Sequence, residues 1–166
     1  MVAPSMRILQ GPSGTGKTYQ AARTAVRIID GDAPDDVQEF NRRHAELVAQ
    51  GRIRWVTFHP SYSYEDFVEG IRPDVSGKFL VQQGVFRQFC ARASGEDPES
   101  PYVFIIDEIN RGDLSRIFGE LMQLIEPGQR GAYQVKLPDS GESFVVSENL
   151  YILGMMNIAD RSLLLV

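Results

Sequence analysis

Gly11-Pro12-Ser13-Gly14-Thr15-Gly16-Lys17-Thr18 is the stretch that decides the fold. It is a full G-x-x-x-x-G-K-[ST] match, and its chemistry follows from backbone geometry. Glycine accepts the left-handed conformations that turn successive N–H groups inward, which makes a nest for phosphate oxygens. A helix opening directly after the turn offers its positive N-terminal end to the same anion. Lys17 has the reach for β- and γ-phosphates, and the Thr18 hydroxyl is a hard oxygen ligand suited to Mg²⁺. The flanks agree with this reading. Met6 to Gln10 is a short apolar run that suits a buried strand, and a helix opening near Lys17 carries Ala21, Ala22, Ala25, Val26 and Ile29 along one side. All eight residues from Gly11 to Thr18 are therefore candidate nucleotide contacts.

Working outward, Gly31-Asp32-Ala33-Pro34 ends the first helix and Asp35 to Gln50 reads as a second, stopped by Gly51. Ile53 to Phe58 reads as a strand, followed by a loop into a short helix around Glu65 to Glu69. Gly77 to Gln82 is a small extended piece, and a helix runs from about Gly84 to Ala93. The run Ser94 to Pro101 is a surface loop. Tyr102 to Ile106 is a near-continuous apolar run, the pattern of a central parallel strand. Leu114 to Ile125 reads as one amphipathic helix. Ala132 to Leu137 and Ser143 to Val146 form a hairpin around Pro138-Asp139-Ser140-Gly141, and Leu150 to Met156 is a last buried strand. Strands alternating with helices predict an α/β fold: a parallel sheet with helices on both faces and one inserted β-hairpin.

Two further signals sit at strand ends. Val103-Phe104-Ile105-Ile106-Asp107-Glu108 closes a buried strand with two acids at the C-terminal edge of the sheet, where open α/β folds bind ligands. Asp107 is placed to support the Mg²⁺ shell, and Glu108 to orient or deprotonate the attacking water. Asn157, directly after the last strand, is a candidate for holding that water. Lys17, Glu108 and Asn157 make up the expected catalytic set, with Thr18 and Asp107 on the metal.

Composition excludes several classes. Lys and Arg number 17 against 22 Asp and Glu, a net charge of −5, which argues against a nucleic-acid clamp acting alone. The single cysteine, Cys90, forms no internal disulfide and reads as a small core residue. No run approaches the ~18 apolar residues of a membrane helix, and the N-terminus has no signal-peptide pattern; the expected location is the cytoplasm. His59 and His44 (the latter placed in a solvated helix) build no metal site. Tyr62, Tyr64 and Phe67 are expected to pack a loop down.

Together, the phosphate loop, the run Phe58-His59-Pro60-Ser61-Tyr62-Ser63-Tyr64-Glu65-Asp66-Phe67-Val68-Glu69-Gly70, the stretch Ile106-Asp107-Glu108-Ile109-Asn110-Arg111-Gly112-Asp113 and the segment Met156-Asn157-Ile158-Ala159-Asp160-Arg161-Ser162 resemble the AAA+ domains of the McrB family. These are motor subunits of restriction systems directed at 5-methylcytosine. The resemblance runs from about Ile8 to Leu165. It implies that Lys17 and Thr18 are Walker A residues, Asp107 and Glu108 the Walker B pair, and Asn157 the sensor 1 position. It also implies ring assembly as a homo-oligomer, GTP in preference to ATP with Mg²⁺, stimulation by an McrC-like nuclease subunit, and DNA engaged through the full complex. Ile158 departs from the family, which usually has threonine there. The chain, 1–166 as a single domain, ends before the helical lid of such proteins and so reads as truncated. Two alternatives stand beside this: an ATP-dependent remodelling factor of the MoxR kind, and a nucleotide-binding module without turnover.

Overall fold

The computed structural model describes residues 6–95, 97–126 and 128–158. Four strands form one wholly parallel sheet: β1 (Met6–Gly11), β2 (Ile53–Thr57), β5 (Tyr102–Asp107) and β8 (Leu150–Asn157), in the order β1-β8-β5-β2. Its helices are α1 (Lys17–Asp30), α2 (Val37–Ala49), α4 (Val85–Gly95) and the short α3 (Tyr64–Phe67) and α5 (Leu114–Phe118).

The central strand shows why both faces are covered. Val103 and Ile105 belong to one apolar cluster, with Ala21, Ala22, Ala25 and Val26 of α1 and Phe40 and Leu47 of α2. Tyr102, Phe104 and Ile106 belong to the other, with Phe67, Phe86, Phe89 and Phe118. Alternation along a strand sends neighbouring side chains to opposite faces, so a run without polar interruption needs helices on both sides. The alanines of α1 let that helix lie close to the sheet, which brings its N-terminus to the strand ends. The second face is packed largely by rings: Phe67 lies 4.7 Å from both Phe86 and Phe118 and 5.8 Å from Phe104. Tyr62, 4.9 Å from Phe58, joins the same stack, as the packing role expected for these aromatics requires. Cys90 is buried in this cluster, and burial pushes its thiol up.

Five expectations are corrected. The helix expected over Leu114 to Ile125 ends at Phe118, because Gly119 adopts φ 53° and ψ −130°, and a 3₁₀ turn over Gly119–Met122 follows. The break lets Tyr64 donate to Glu120 at 2.5 Å. The helix expected to reach Glu69 stops at Phe67 after a Ser63–Asp66 capping box, and Glu69 instead starts β3 (Glu69–Pro73). That strand pairs antiparallel with β4 (Phe79–Gln83), so there are two inserted hairpins rather than one. The second, β6 (Val135–Lys136) with β7 (Ser143–Phe144), is shorter than its sequence suggested. Finally, His44 is half-buried between Phe40 and Trp55 instead of solvated, and burial lowers its pKa.

A buried ionic group ties the two hairpins together. Glu69 is fully buried; one of its oxygens accepts from the backbone N–H of Asp139 and of Ser140, each at 3.0 Å, and the other pairs with Arg87. Arg87 also donates to Glu142 at 2.5 Å. A buried carboxylate persists only when its oxygens are satisfied in this way.

Candidate nucleotide site

The phosphate loop leaves β1 at Gly11 and enters α1 at Lys17. Gly14 and Gly16 take φ 78° and 77°, with open space where a Cβ would stand. Their requirement is conformational, not steric. Gly16 occupies the N-cap in the left-handed region with no side-chain cap, and the first turn of α1 holds no acid. The N–H groups of Lys17, Thr18 and Tyr19 have no acceptor within their own helix. An uncapped, acid-free helix start after a left-handed turn favours negative charge at that end.

The loop is closed from inside. Thr15 donates its hydroxyl to the Pro12 carbonyl at 2.8 Å, and Lys17 donates its ammonium to the carbonyls of Gly11 at 2.7 Å and Pro12 at 2.5 Å. Lys17 and Thr15 thus take up the carbonyls of Gly11 and Pro12 from within the turn. Thr18 is exposed on the first turn of α1.

Asp107 and Glu108 lie at the end of β5. The Asp107 carboxylate accepts from the Glu108 N–H at 2.9 Å, and its carbonyl accepts from the Phe58 N–H at 2.9 Å. Glu108 has φ 53° and ψ 42°, and among the described residues no other non-glycine has positive φ. Such a conformation is uncommon for glutamate and clusters at functional sites. The Oε2 atom of Glu108 is buried without a hydrogen bond. It lies 3.6 Å from the Arg111 Nε, an ion-pair distance beyond hydrogen-bond reach.

Asn157 is brought to the loop by register. β8 lies between β5 and β1; it pairs Gly154 with Ile106 on one side and runs on to pair Asn157 with Gly11 on the other. The Oδ1 of Asn157 is buried with no partner, and Asn110 approaches the Asn157 carbonyl at 3.5 Å. An orphaned buried acceptor is costly unless a ligand or water satisfies it. Ile158 follows with its side chain exposed. Asp160 and Arg161, singled out by the resemblance, lie outside the described residues.

The fold therefore carries the loop, the acidic pair and Asn157 on neighbouring strand ends. Ile109, Asn110 and Arg111, which carry part of the family resemblance but no expected role, form the 3₁₀ turn after Glu108. Ile109 is buried against β8, and a Cβ on Gly154 would stand 2.9 Å from its Cδ1. The turn that follows Glu108 is thus docked on the strand that carries Asn157. The adjacent Gly154 was the available signal, since a glycine inside a strand often marks close approach.

The family model for the AAA domain, dynein-related subfamily, matches residues 38–164. The Type IV methyl-directed restriction enzyme EcoKMcrB subunit of Escherichia coli K12 is 47% identical over 163 residues, covering 96% of this chain and 32% of that protein. The Type II restriction enzyme BsuMI component YdiS of Bacillus subtilis 168 is 26% identical, covering 97% of this chain and 53% of its own. A candidate ATPase from Cytophaga hutchinsonii aligns at a TM-score of 0.45 and 16% identity over 86% of this chain and 39% of its own, too distant to inform the site. The chain thus spans between a third and about half of the curated relatives. It belongs to the AAA domain family, dynein-related subfamily, as a P-loop domain of the McrB type.

Proposed function

We propose that this domain binds a nucleoside triphosphate at Gly11–Thr18 and hydrolyses it, with GTP preferred, as part of the motor subunit of a restriction system. The observation that carries the reading is the meeting of Asn157 with Gly11 across the β1–β8 ladder, on a sheet whose next strand ends in Asp107 and Glu108. The likeness to the EcoKMcrB subunit supports the restriction setting.

Mg²⁺ fits the donors that the chain offers. Among the described residues no group of three or more His, Cys, Asp or Glu side chains forms a metal cluster. Mg²⁺ needs none, because it takes one or two protein oxygens and completes its shell with phosphate oxygens and water. Thr18 and Asp107 would hold it, and it would neutralise charge on the phosphates. The chain's own residues do the rest. Loop amides and the start of α1 orient the triphosphate, and Lys17 balances its negative charge. Glu108 accepts a proton from, or orients, the attacking water, and Asn157 supplies a hydrogen-bonding amide on the facing strand. Partners follow the same reading: a ring of copies, an McrC-like nuclease subunit, and DNA reached through the whole assembly.

Equilibrium titration with fluorescent GTP and ATP, with and without Mg²⁺, tests it on the chain and on its Lys17→Ala variant. Mg²⁺-dependent binding that Lys17→Ala removes is expected, tighter for GTP. Binding unaffected by the variant would refute the loop assignment, and a clear preference for ATP would refute the GTP assignment alone.

A further inference from the structure

The two hairpins leave the fold at separate points, β3–β4 between α3 and α4 and β6–β7 between α5 and β8. Each is a two-stranded sheet by itself, and an isolated hairpin of that kind is marginal in water. β6–β7 has two ladder pairs, Val135 with Phe144 and Lys136 with Ser143. β4 is exposed along its whole length, from Phe79 to Gln83. The root of the first hairpin is nevertheless pinned to α3. Gly84 donates to the Val68 carbonyl at 2.7 Å, and a Cβ on Gly84 would stand 2.3 Å from the Phe67 carbonyl carbon.

Glu69 belongs to that root, where it pairs with Gln83, and among the described residues it is the one buried carboxylate. Its partner Arg87 stands in the first turn of α4, which holds no acid. A cation at a helix N-terminus opposes the dipole, and burial adds the cost of desolvation. Apolar replacements of such a pair are often neutral or stabilising, so stability is a poor account of it. What the pair supplies is position. Glu69 accepts from the Asp139 and Ser140 amides in the turn of the second hairpin. Arg87 reaches past that turn to Glu142 and lies 3.4 Å from the Ser140 Oγ. The Glu142 side chain is 65% exposed, so the pair joins a buried root to a solvent-facing turn.

We propose that the buried Glu69–Arg87 pair couples the two hairpins, so that they open as one unit and a displacement of either is felt at the other. The second turn cannot lift without stripping a buried carboxylate of two amide donors. The first root cannot shift without carrying that carboxylate with it.

Residue-resolved amide exchange tests the coupling. Val81 lies in the middle of β4, is 39% exposed and is no member of the ionic group. Glycine there weakens the first hairpin, and Val81→Gly should quicken exchange at the Gly84 amide about 2–5-fold. A similar factor is expected in the second hairpin, at Asp139, at Ser140 and at Leu137, whose N–H is bonded to the Glu142 carbonyl. Val103, bonded to Arg52 in the central sheet, should keep its rate. In an Arg87→Met background the response of the second hairpin should disappear. Should Arg87→Met fail to fold, Glu142→Gln carries the test in reverse, as a change in the second hairpin read at Gly84. Second-hairpin amides that hold their rates in Val81→Gly overturn the proposal. So does a response that persists undiminished in folded Arg87→Met, or a Gly84 amide that ignores Glu142→Gln. None of these outcomes bears on nucleotide binding, which is read separately through Lys17.

Discussion

The left-handed backbone of Glu108 makes a prediction that separates conformation from chemistry. At φ 53° and ψ 42° the residue carries a Cβ where the chain prefers none. That conformation costs about 1–2 kcal/mol for a residue with a Cβ. Glycine escapes the penalty but loses about 0.5–1 kcal/mol through its freer unfolded state. Glu108→Ala and Glu108→Gly both delete the carboxylate and its 3.6 Å pairing with Arg111, so that loss cancels between them. The difference left is about 0.5–1 kcal/mol in favour of glycine. At 166 residues, 1 kcal/mol moves a melting temperature by about 2–4 °C. Glu108→Gly should therefore melt about 1–4 °C above Glu108→Ala by circular dichroism. Both should lose about 10²–10⁴-fold in hydrolysis, the contribution typical of a positioned general base. An alanine variant as stable as the glycine variant would refute the strain. Turnover at the wild-type rate in either would remove Glu108 from the chemistry.

Lys17→Ala should abolish nucleotide binding without lowering the melting temperature, since the ammonium bonds only exposed or half-buried loop carbonyls; calorimetric titration beside a thermal melt checks both. His44, whose pKa burial lowers, makes stability fall as pH drops from the ordinary histidine value through its lower folded value, because the unfolded chain binds the proton more readily. Urea titrations between pH 7 and 5 should show that loss in wild type and a smaller one in His44→Phe. Phe67→Ala should cost about 3–5 kcal/mol by denaturant titration, since the ring is fully buried among Phe58, Phe86, Phe104 and Phe118. Phe79→Ser, on a side chain 69% exposed, should change stability by no more than about 0.5 kcal/mol.

The parallel sheet was legible because its central strands are buried on both faces and so read as unbroken apolar runs. The phosphate loop was legible because its chemistry fixes residue type and spacing together. Positions that depend on contacts distant in sequence were not. Glu69 looked like the end of a helix, and only its bonds to Asp139, Ser140 and Arg87 make it the buried start of a strand. Gly119 looked tolerable inside an amphipathic helix; its left-handed turn belongs with the approach of Tyr64 from another part of the chain, where a Cβ would stand 3.2 Å from the ring. His44 carried the local signature of a solvated helix face, and the ring stack with Phe40 and Trp55 overrode it. Local pattern is a weak prior against burial of this kind.

Asn157 illustrates how topology can promote a residue that local sequence leaves ambiguous. After a strand, asparagine is usually just a turn former. Here the order β1-β8-β5 inserts the last strand between the two that end in the phosphate loop and the acidic pair, so the residue closing β8 stands between them. Pairing with Gly11 fixes its level, and Gly154 lets Ile109 dock on the same strand. The start of the loop is tied to Asn157 by the β1–β8 ladder. The turn after Glu108 is tied to the same strand by the packed Ile109 side chain. Glu108 and Asn157, the residues proposed to position water, are thus joined to the proposed phosphate site through the sheet itself.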